Sequence, residues 1–137
     1  AAIILDHSIL PELDQYTGQA FEEVCRQYLW SLGLNGKLPF LPNNIANWWN
    51  ANEEIDLIAL GDSDALLVEC KWTNAPIGSA VLTQLERKTQ FIRPELSGKR
   101  LRFGLCSRSG FTEELRQAAG ECSDVLLIDL LQMTAQT

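Results

Sequence analysis

Two short apolar segments of the chain carry ionisable residues where burial is expected. EIDLIAL, residues 54–60, contains Asp56, and ALLVECKW, residues 65–72, contains Glu69 and Lys71. Because side chains alternate across a β-strand, Glu69 and Lys71 share one face. Two carboxylates bind a hard divalent cation, and a lysine stabilises negative charge that develops on a phosphoryl group. The two segments therefore predict a site for metal-dependent phosphodiester hydrolysis.

The meeting of Asp56 with Glu69 depends on the register of the hairpin that the two strands form. Pairing Leu60 with Ala65 across GDSD brings Asp56 opposite Glu69. Pairing Leu60 with Leu66 instead sends the two carboxylates to opposite faces, because a slip of one residue reverses a strand. The sequence leaves both registers open, and the predicted site requires the first.

The cation expected at such a site is Mg²⁺ or Mn²⁺, because both prefer oxygen ligands in octahedral geometry. Asp56 and Glu69 are the predicted carboxylate ligands, and the backbone carbonyl of Cys70 is a third. Glu22 is an auxiliary acid, since it borders the apolar stripe of a predicted helix, whereas its neighbour Glu23 points away from that stripe.

The elements that must position these groups follow from hydrophobic periodicity. Their order predicts an α/β three-layer sandwich with a mixed central sheet. The predicted elements are a helix over 16–32, strands over 45–49, 54–60 and 65–72, a helix over 76–93 that ends before Pro94, a strand over 101–107, a helix over 112–121 capped by Thr112, and a strand over 125–131.

A chain of 137 residues fits one domain, which we expect over residues 16–137, after a linker or N-terminal extension at 1–15. No apolar run is long enough to span a bilayer, and the first residues lack the pattern of a signal peptide, so we expect a cytoplasmic protein without membrane contact. The chain starts without Met, which suggests a domain cut from a longer protein.

The four cysteines are widely spaced and form no CxxC pair, which favours buried, reduced thiols over a zinc site. The single histidine, His7, is predicted to be a surface residue, and one histidine excludes most His-based triads. The adjacent Trp48 and Trp49 suggest packing, with one ring in the core and one on the surface, more than the stacking of bases.

The net charge of −7 argues against a protein that depends on non-specific attraction to nucleic acid. However, nine of the eleven Lys and Arg residues lie at or after Lys71. These side chains either form an ordinary solvated face or line a weak phosphate groove. The candidates for such a groove are Arg87, Lys88, Lys99, Arg100, Arg102 and Arg108.

The segments GQAFEEVCRQYL, EIDLIAL, LLVECKW and VLTQLERK, in this order, resemble the PD-(D/E)xK nuclease superfamily, whose fold is called restriction-endonuclease-like. The resemblance covers residues 16–107. It implies that Glu22 is the helix acid, that Asp56 is the lone aspartate, and that Glu69 and Lys71 form the E-x-K pair. Gln84, on the following helix, is implied as a helper.

A narrower resemblance links WWNANEEIDLIAL, ECKWTNAPIG and SRSGFTEEL to the C-terminal nuclease-like domain of archaeal and bacterial P-loop ATPases. It implies ATPase and winged-helix domains in the same full-length chain. Many relatives of the nuclease fold act as dimers, so a homodimer is a further candidate partner. The net charge of −7, together with the basic residues after Lys71, predicts weak DNA binding by the isolated domain. GxxxxGK[ST] is absent here, so this chain by itself should not hydrolyse ATP. Two functions stay open: a Mg²⁺-dependent deoxyribonuclease, and an inactive module that regulates the ATPase or binds DNA or protein.

Overall fold

The computed structural model describes residues 18–134, apart from the side chain of Arg93. The predicted linker at 1–15, the first two residues of the predicted helix and His7 lie outside this range. No helix within the described range is long and apolar enough to cross a membrane. The elements are α1 (Gly18–Leu34), β1 (Asn44–Trp49), β2 (Glu54–Leu60), β3 (Asp64–Lys71), α2 (Ser79–Lys88), two 3₁₀ turns (Thr89–Phe91 and Arg93–Leu96), β4 (Arg100–Ser107), α3 (Glu113–Gly120), β5 (Val125–Asp129) and α4 (Leu130–Thr134).

The five strands form one sheet in the order β1-β2-β3-β4-β5. β1, β2 and β3 are antiparallel neighbours, whereas β3, β4 and β5 run parallel to one another. The parallel pairs are joined by crossovers that contain α2 and α3, as parallel strands require. The predicted α/β fold with a mixed sheet is confirmed.

Two hydrophobic cores lie on opposite faces of the sheet. The first core packs α1 against the sheet and includes Leu66 and Val68 of β3. The second packs α2 and α3 against the other face and includes Ala65 and Leu67 of the same strand. Successive side chains of β3 thus enter opposite cores. This explains the continuous apolar run of the strand, because a strand that is covered on both faces needs apolar residues at every position.

The last predicted strand is two residues too long, because a helix cap ends it. Asp129 accepts a hydrogen bond from the Gln132 backbone N–H at 2.7 Å, and the Gln132 side chain accepts one from the Asp129 N–H at 3.3 Å. This reciprocal pair is a capping box, which begins α4 at Leu130. Thr112 caps α3 as predicted, since its hydroxyl accepts a hydrogen bond from the Leu115 N–H.

The predicted helix over 76–93 is also too long, because regular helix exists only over Ser79–Lys88. The Thr89 hydroxyl donates to the carbonyl of Glu86 at 2.7 Å, and the chain continues as two 3₁₀ turns. Pro94 lies inside the second turn and does not follow a helix end. Proline constrains only the residue before it, so Pro94 acts on Arg93 and does not explain why the regular helix ends at Lys88.

The two adjacent tryptophans divide between core and surface, as predicted. Trp48 packs against the second core, and its indole N–H donates to Glu95 at 2.9 Å. Trp49 is 66% exposed. Their strand, β1, is an edge of the sheet, and it contributes Ile45 to the first core and Trp48 to the second.

Candidate functional site

The candidate site lies where the β2–β3 hairpin opens. Leu60 pairs with Ala65, which is the register that the site requires, and the pairing ends at Leu57 with Val68. Both strands continue beyond that last pair, since β2 starts at Glu54 and β3 ends at Lys71. The residues predicted to do chemistry therefore sit at the open end, where the strands separate.

A β-bulge lies at the same point. Ala46 pairs with Ile58 and Trp48 pairs with Ile55, so two residues of β2 oppose one residue of β1. The bulge also breaks the alternation of β2, because Ile55 belongs to the α2-side core while Leu57 belongs to the α1-side core. Bulges redirect side chains in this way near functional sites.

The redirected side chain is that of Asp56. Its carboxylate accepts a hydrogen bond from the backbone N–H of Cys70 at 2.8 Å. In a continuous hairpin, Cys70 would oppose Ile55, and a backbone carbonyl of β2 would accept the hydrogen bond from the Cys70 N–H. The carboxylate takes over part of that role, so Asp56 holds the separated strands in place and is itself fixed by β3.

Three carboxylates converge at the α1 side of this opening. Oxygen atoms of Glu22, Glu54 and Asp56 all lie within 4.8 Å of one another. Glu22 comes from α1, and the other two come from β2. Glu69 is not part of this group of three, so the bulge gives Asp56 a closer association with the helix acid than the sequence predicted.

The crowding of the three carboxyl groups shifts the pKa of Glu22. Partial burial, followed by the negative charges of Asp56 and Glu54, raises the pKa of Glu22 from 4.5 to about 7. A hydrogen bond to Asp56 contributes in the same direction, because a protonated Glu22 donates to that carboxylate. Two carboxyl groups that share one proton in this way mark a site suited to binding a cation or to moving a proton.

Glu69 is the most buried of the acids, with 6% of its surface exposed, and it contacts two lysines. Its carboxylate lies 3.3 Å from the Lys88 Nζ and 3.8 Å from the Lys71 Nζ. Burial, and then the charge of Asp56, raise the pKa of Glu69, while Lys88 and Lys71 oppose that rise. The effect of Asp56 on Glu69 shows that both acids belong to one electrostatic cluster.

Two residues of the site were not identified from the sequence. Lys88 of α2 donates to the Glu54 carbonyl at 2.7 Å as well as contacting Glu69, so it ties α2 to both strands. Glu54 precedes Asp56 by two residues, and this spacing, which usually places two side chains on one face of a strand, could have identified Glu54 from the sequence. Lys88 follows Gln84 by four residues, on the same helix face. Gln84 itself is exposed, and no hydrogen bond within residues 18–134 joins it to these acids.

A tilted aromatic contact joins α1 to the residue after β3. Phe21 and Trp72 contact each other with ring centroids 5.0 Å apart. Each ring is one residue from a site group, since Phe21 precedes Glu22 and Trp72 follows Lys71. The Arg108 guanidinium lies 4.4 Å from the Trp72 ring centroid, so a cation–π contact adds to the aromatic contact.

A groove of about 430 Å³ runs between α1 and β1 beside the carboxylates. Gln19, Glu22 and Arg26 line it from the helix, and Ala46 and Asn47 line it from the edge strand. Glu69 and Lys71 are not among its lining residues. The groove therefore reaches the site only at Glu22.

The basic residues do not form one uninterrupted surface. Arg87 pairs with Glu53, Arg100 with Asp124, and Arg102 with both Asp64 and Asp124, while Lys99 donates to the carbonyls of Gly61 and Asp62. The Arg100–Asp124 pair is exposed and weak, whereas the Arg102–Asp64 pair is largely buried, with side-chain exposures of 12% and 19%. They leave fewer cations ready for DNA than the sequence suggested.

The four cysteines are free thiols, as predicted, but three of them are not scattered, and the prediction of burial is wrong for Cys122. Cys25 and Cys106 are buried and Cys70 is half-buried, whereas Cys122 is exposed. The sulfur atoms of the first three lie within 4.8 Å of one another. The spacing along the chain concealed this cluster, because its members come from α1, β3 and β4.

Sequence comparison assigns the chain to a family. Residues 2–90, well over half of the chain, match DUF234, a family of archaeal and bacterial proteins of unknown function. The chain belongs to this family. An uncharacterized protein of Methanocaldococcus jannaschii is 48% identical over 66 residues, which are 47% of this chain and 15% of that protein. The chain thus spans a small part of this relative's length.

Solved structures identify the fold. A repair endonuclease from Pyrococcus abyssi superposes with a TM-score of 0.53 at 15% identity, over 80% of this chain and 46% of that protein. The protein of unknown function AF1548 superposes with a TM-score of 0.50 at 20% identity, over 79% of this chain and 58% of that protein. The fold is restriction-endonuclease-like, which confirms the predicted superfamily resemblance at the level of fold.

The raised pKa of Glu22 predicts a distinctive pH dependence of stability. Its folded pKa of about 7 exceeds the unfolded value of 4.5, so the folded state holds the proton more tightly. The stabilisation is fully present below about pH 4.5 and is lost as pH rises through about 7. The metal-free protein should therefore become less stable between pH 5 and 8, and Glu22→Gln should reduce this slope. Urea unfolding at several pH values measures it.

Glu23→Gln is the matched control, because Glu23 occupies the next position of α1. Its hydrogen bond to Arg26 lowers the pKa of Glu23, so that residue stays ionised throughout pH 5 to 8 and should leave the slope unchanged. A flat difference curve between the wild type and Glu22→Gln would contradict the assignment.

Proposed function

We propose that this chain is a metal-dependent, DNA-hydrolysing nuclease domain whose site is built from Glu22, Glu54, Asp56, Glu69 and Lys71. The observation that supports it is the convergence of four acids and two lysines at the open end of one hairpin, in a restriction-endonuclease-like fold. Acids so close together repel one another, and a protein retains such an arrangement most readily where a cation binds.

The donor atoms fit a hard divalent cation. Ligand oxygens around Mg²⁺ at about 2.1 Å lie roughly 3.0 Å apart when adjacent and roughly 4.2 Å apart when opposite. The oxygens of Glu22, Glu54 and Asp56, at separations of up to 4.8 Å, need only small movements to reach such distances. When bound, Mg²⁺ or Mn²⁺ would polarise a phosphoryl oxygen and lower the pKa of a water. Glu69 and the Cys70 carbonyl, the other predicted ligands, border the same opening.

The side chains of this protein supply the remaining functions. Lys71 is 37% exposed at its side chain and lies beside Glu69, so its ammonium group can face a phosphate and stabilise developing charge. Lys88 is more buried and is held by Glu69 and Glu54, which makes it a positioning residue. Glu22, with a pKa of about 7, can accept a proton near neutral pH.

Cleavage of DNA tests the proposal directly. Branched, single-stranded and duplex DNA should be cut in the presence of Mg²⁺ or Mn²⁺ and not in the presence of EDTA. Glu69→Gln and Lys71→Met should each lower the rate by about a hundredfold or more, as expected for the loss of a group that stabilises the transition state.

Glu121→Gln serves as the control, because Glu121 is exposed at the end of α3, away from the site. It should cleave at the wild-type rate. Equal cleavage by the wild type, Glu69→Gln and Lys71→Met would reveal a contaminating nuclease and contradict the proposal.

Metal binding is also predicted to stabilise the fold. Binding to the native state alone adds about 2.7 kcal/mol to the free energy of unfolding at a metal concentration about 100 times Kd. Asp56→Asn should abolish this gain, since it removes a ligand charge. The metal-free variant should be at least as stable as wild type, because repulsion falls and an amide oxygen can still accept the Cys70 N–H. Melting curves with and without Mg²⁺ measure both effects.

Asp62→Asn is the comparison for this experiment. Asp62 is exposed in the β2–β3 turn and also accepts one hydrogen bond, from Asn43. It should retain the full Mg²⁺ shift. A shift that survives in Asp56→Asn would place the cation elsewhere.

A second candidate function is a non-catalytic module that regulates a P-loop ATPase in the same full-length chain. The net charge of −7 and the pairing of Arg87, Arg100 and Arg102 with acids favour it, because both weaken attraction to DNA. Under this alternative the acids are retained by ancestry. ATPase and winged-helix domains, and a homodimer, are partners that the family resemblance implies.

DNA binding separates the two functions. A nuclease domain should bind labelled DNA weakly, more tightly with Ca²⁺ as a non-cleaving cation, and with an affinity that falls steeply as salt rises. Fluorescence anisotropy at low and moderate salt, with and without Ca²⁺, provides the measurement. An absence of binding at low salt with Ca²⁺ would favour the regulatory module.

A further inference from the structure

The three-cysteine cluster lies in the core, behind the carboxylates. Cys25 is on α1, Cys70 is on β3 and Cys106 is on β4, and the last two are paired neighbours in the sheet. Cys25 and Cys106 have no exposed surface. Sulfur atoms from three separate elements thus meet at one point, with no pair farther apart than 4.8 Å.

The separations suit three sulfur ligands around one ion. A cation bonded to thiolates at about 2.3 Å, in a trigonal plane, keeps those sulfurs about 4.0 Å apart. From separations of up to 4.8 Å, the sulfurs reach that arrangement by movements of less than about 1 Å. Formation of thiolates releases protons to solvent, and no electrons need to move.

The number of ligands selects the kind of ion. Closed zinc sites use four protein ligands, and iron–sulfur clusters are held by four cysteines. Within residues 18–134, no fourth His, Cys, Asp or Glu ligand belongs to this group. Copper(I) is a soft ion that thiolates favour, and it does not need a fourth ligand.

We propose that Cys25, Cys70 and Cys106 form a binding site for a soft, thiophilic cation, with copper(I) in three-sulfur coordination as the ion that fits best. The site is separate from the carboxylate site in its donor atoms, since one offers only sulfur and the other only oxygen. Mg²⁺ and Mn²⁺, which are hard ions, should not occupy it.

Copper(I) titration of the reduced 137-residue chain under anaerobic conditions tests this site. Cys122→Ser provides the background, because it removes the exposed cysteine and leaves only the cluster. We expect saturation at one copper(I) per chain, a thiolate-to-copper charge-transfer band in the ultraviolet, and three sulfur neighbours by X-ray absorption. The binding should withstand competition from a large excess of Mg²⁺.

Adding Cys70→Ala to this background should lower the sulfur count from three to two and weaken copper(I) binding at least tenfold against a competing chelator. Cys70 is half-buried, so this change is the mildest for the fold, and circular dichroism checks the folding of each variant. Cys70→Ser is a second variant of nearly the same size. Absence of the charge-transfer band in folded Cys122→Ser protein, or a band that both Cys70 variants leave unchanged, would show that the cluster is only core packing.

Discussion

The hydrogen bond from the Cys70 backbone N–H to the Asp56 carboxylate is the contact on which the candidate site depends. It lies where β2 and β3 separate, and it replaces part of the backbone pairing that the strands give up. A side-chain carboxylate in this place satisfies a buried donor that would otherwise cost about 1–3 kcal/mol. It also fixes the position of a negative charge, around which Glu22 and Glu54 gather. The opening of the hairpin and the formation of the acidic cluster are therefore one structural event.

The charges of the site are balanced unequally. Glu69 has two lysine neighbours, whereas Glu22 lies beside Asp56 and Glu54, and partial burial and their negative charges raise its pKa to about 7. Lys88 neutralises Glu69 and joins α2 to β2, so it stabilises the frame. Lys71 keeps a partly exposed ammonium group for a ligand. The acids on the α1 side remain the place where an added cation would relieve most repulsion.

Contacts between α1 and the sheet set the relative positions of these groups. The tilted Phe21–Trp72 contact joins the residue before Glu22 to the residue after Lys71. Behind it, Cys25 of α1 meets Cys70 and Cys106 of the sheet. The helix acid is therefore held to the end of β3 by packing on either side. Neither contact shows in the spacing of residues along the chain, because each joins residues that are more than 40 positions apart.

The sequence by itself determined the type and order of the main elements, because hydrophobic patterns report burial locally. The continuous apolar run of β3 and the apolar stripe of α1 are recognisable without a partner, whereas the 3₁₀ turns and α4 were not predicted. It also identified Asp56, Glu69 and Lys71 as unusual, since charges within apolar runs need compensation. Tertiary structure alone decided which groups meet. The β2 bulge turned Asp56 towards Glu22, a property of strand pairing and not of composition. The contact of Lys88 with Glu69 depended on how α2 lies against β3, and the thiol cluster depended on three elements packing together. Local patterns fix which face a residue occupies within its own element, whereas contacts between elements are set by the packing of the whole core.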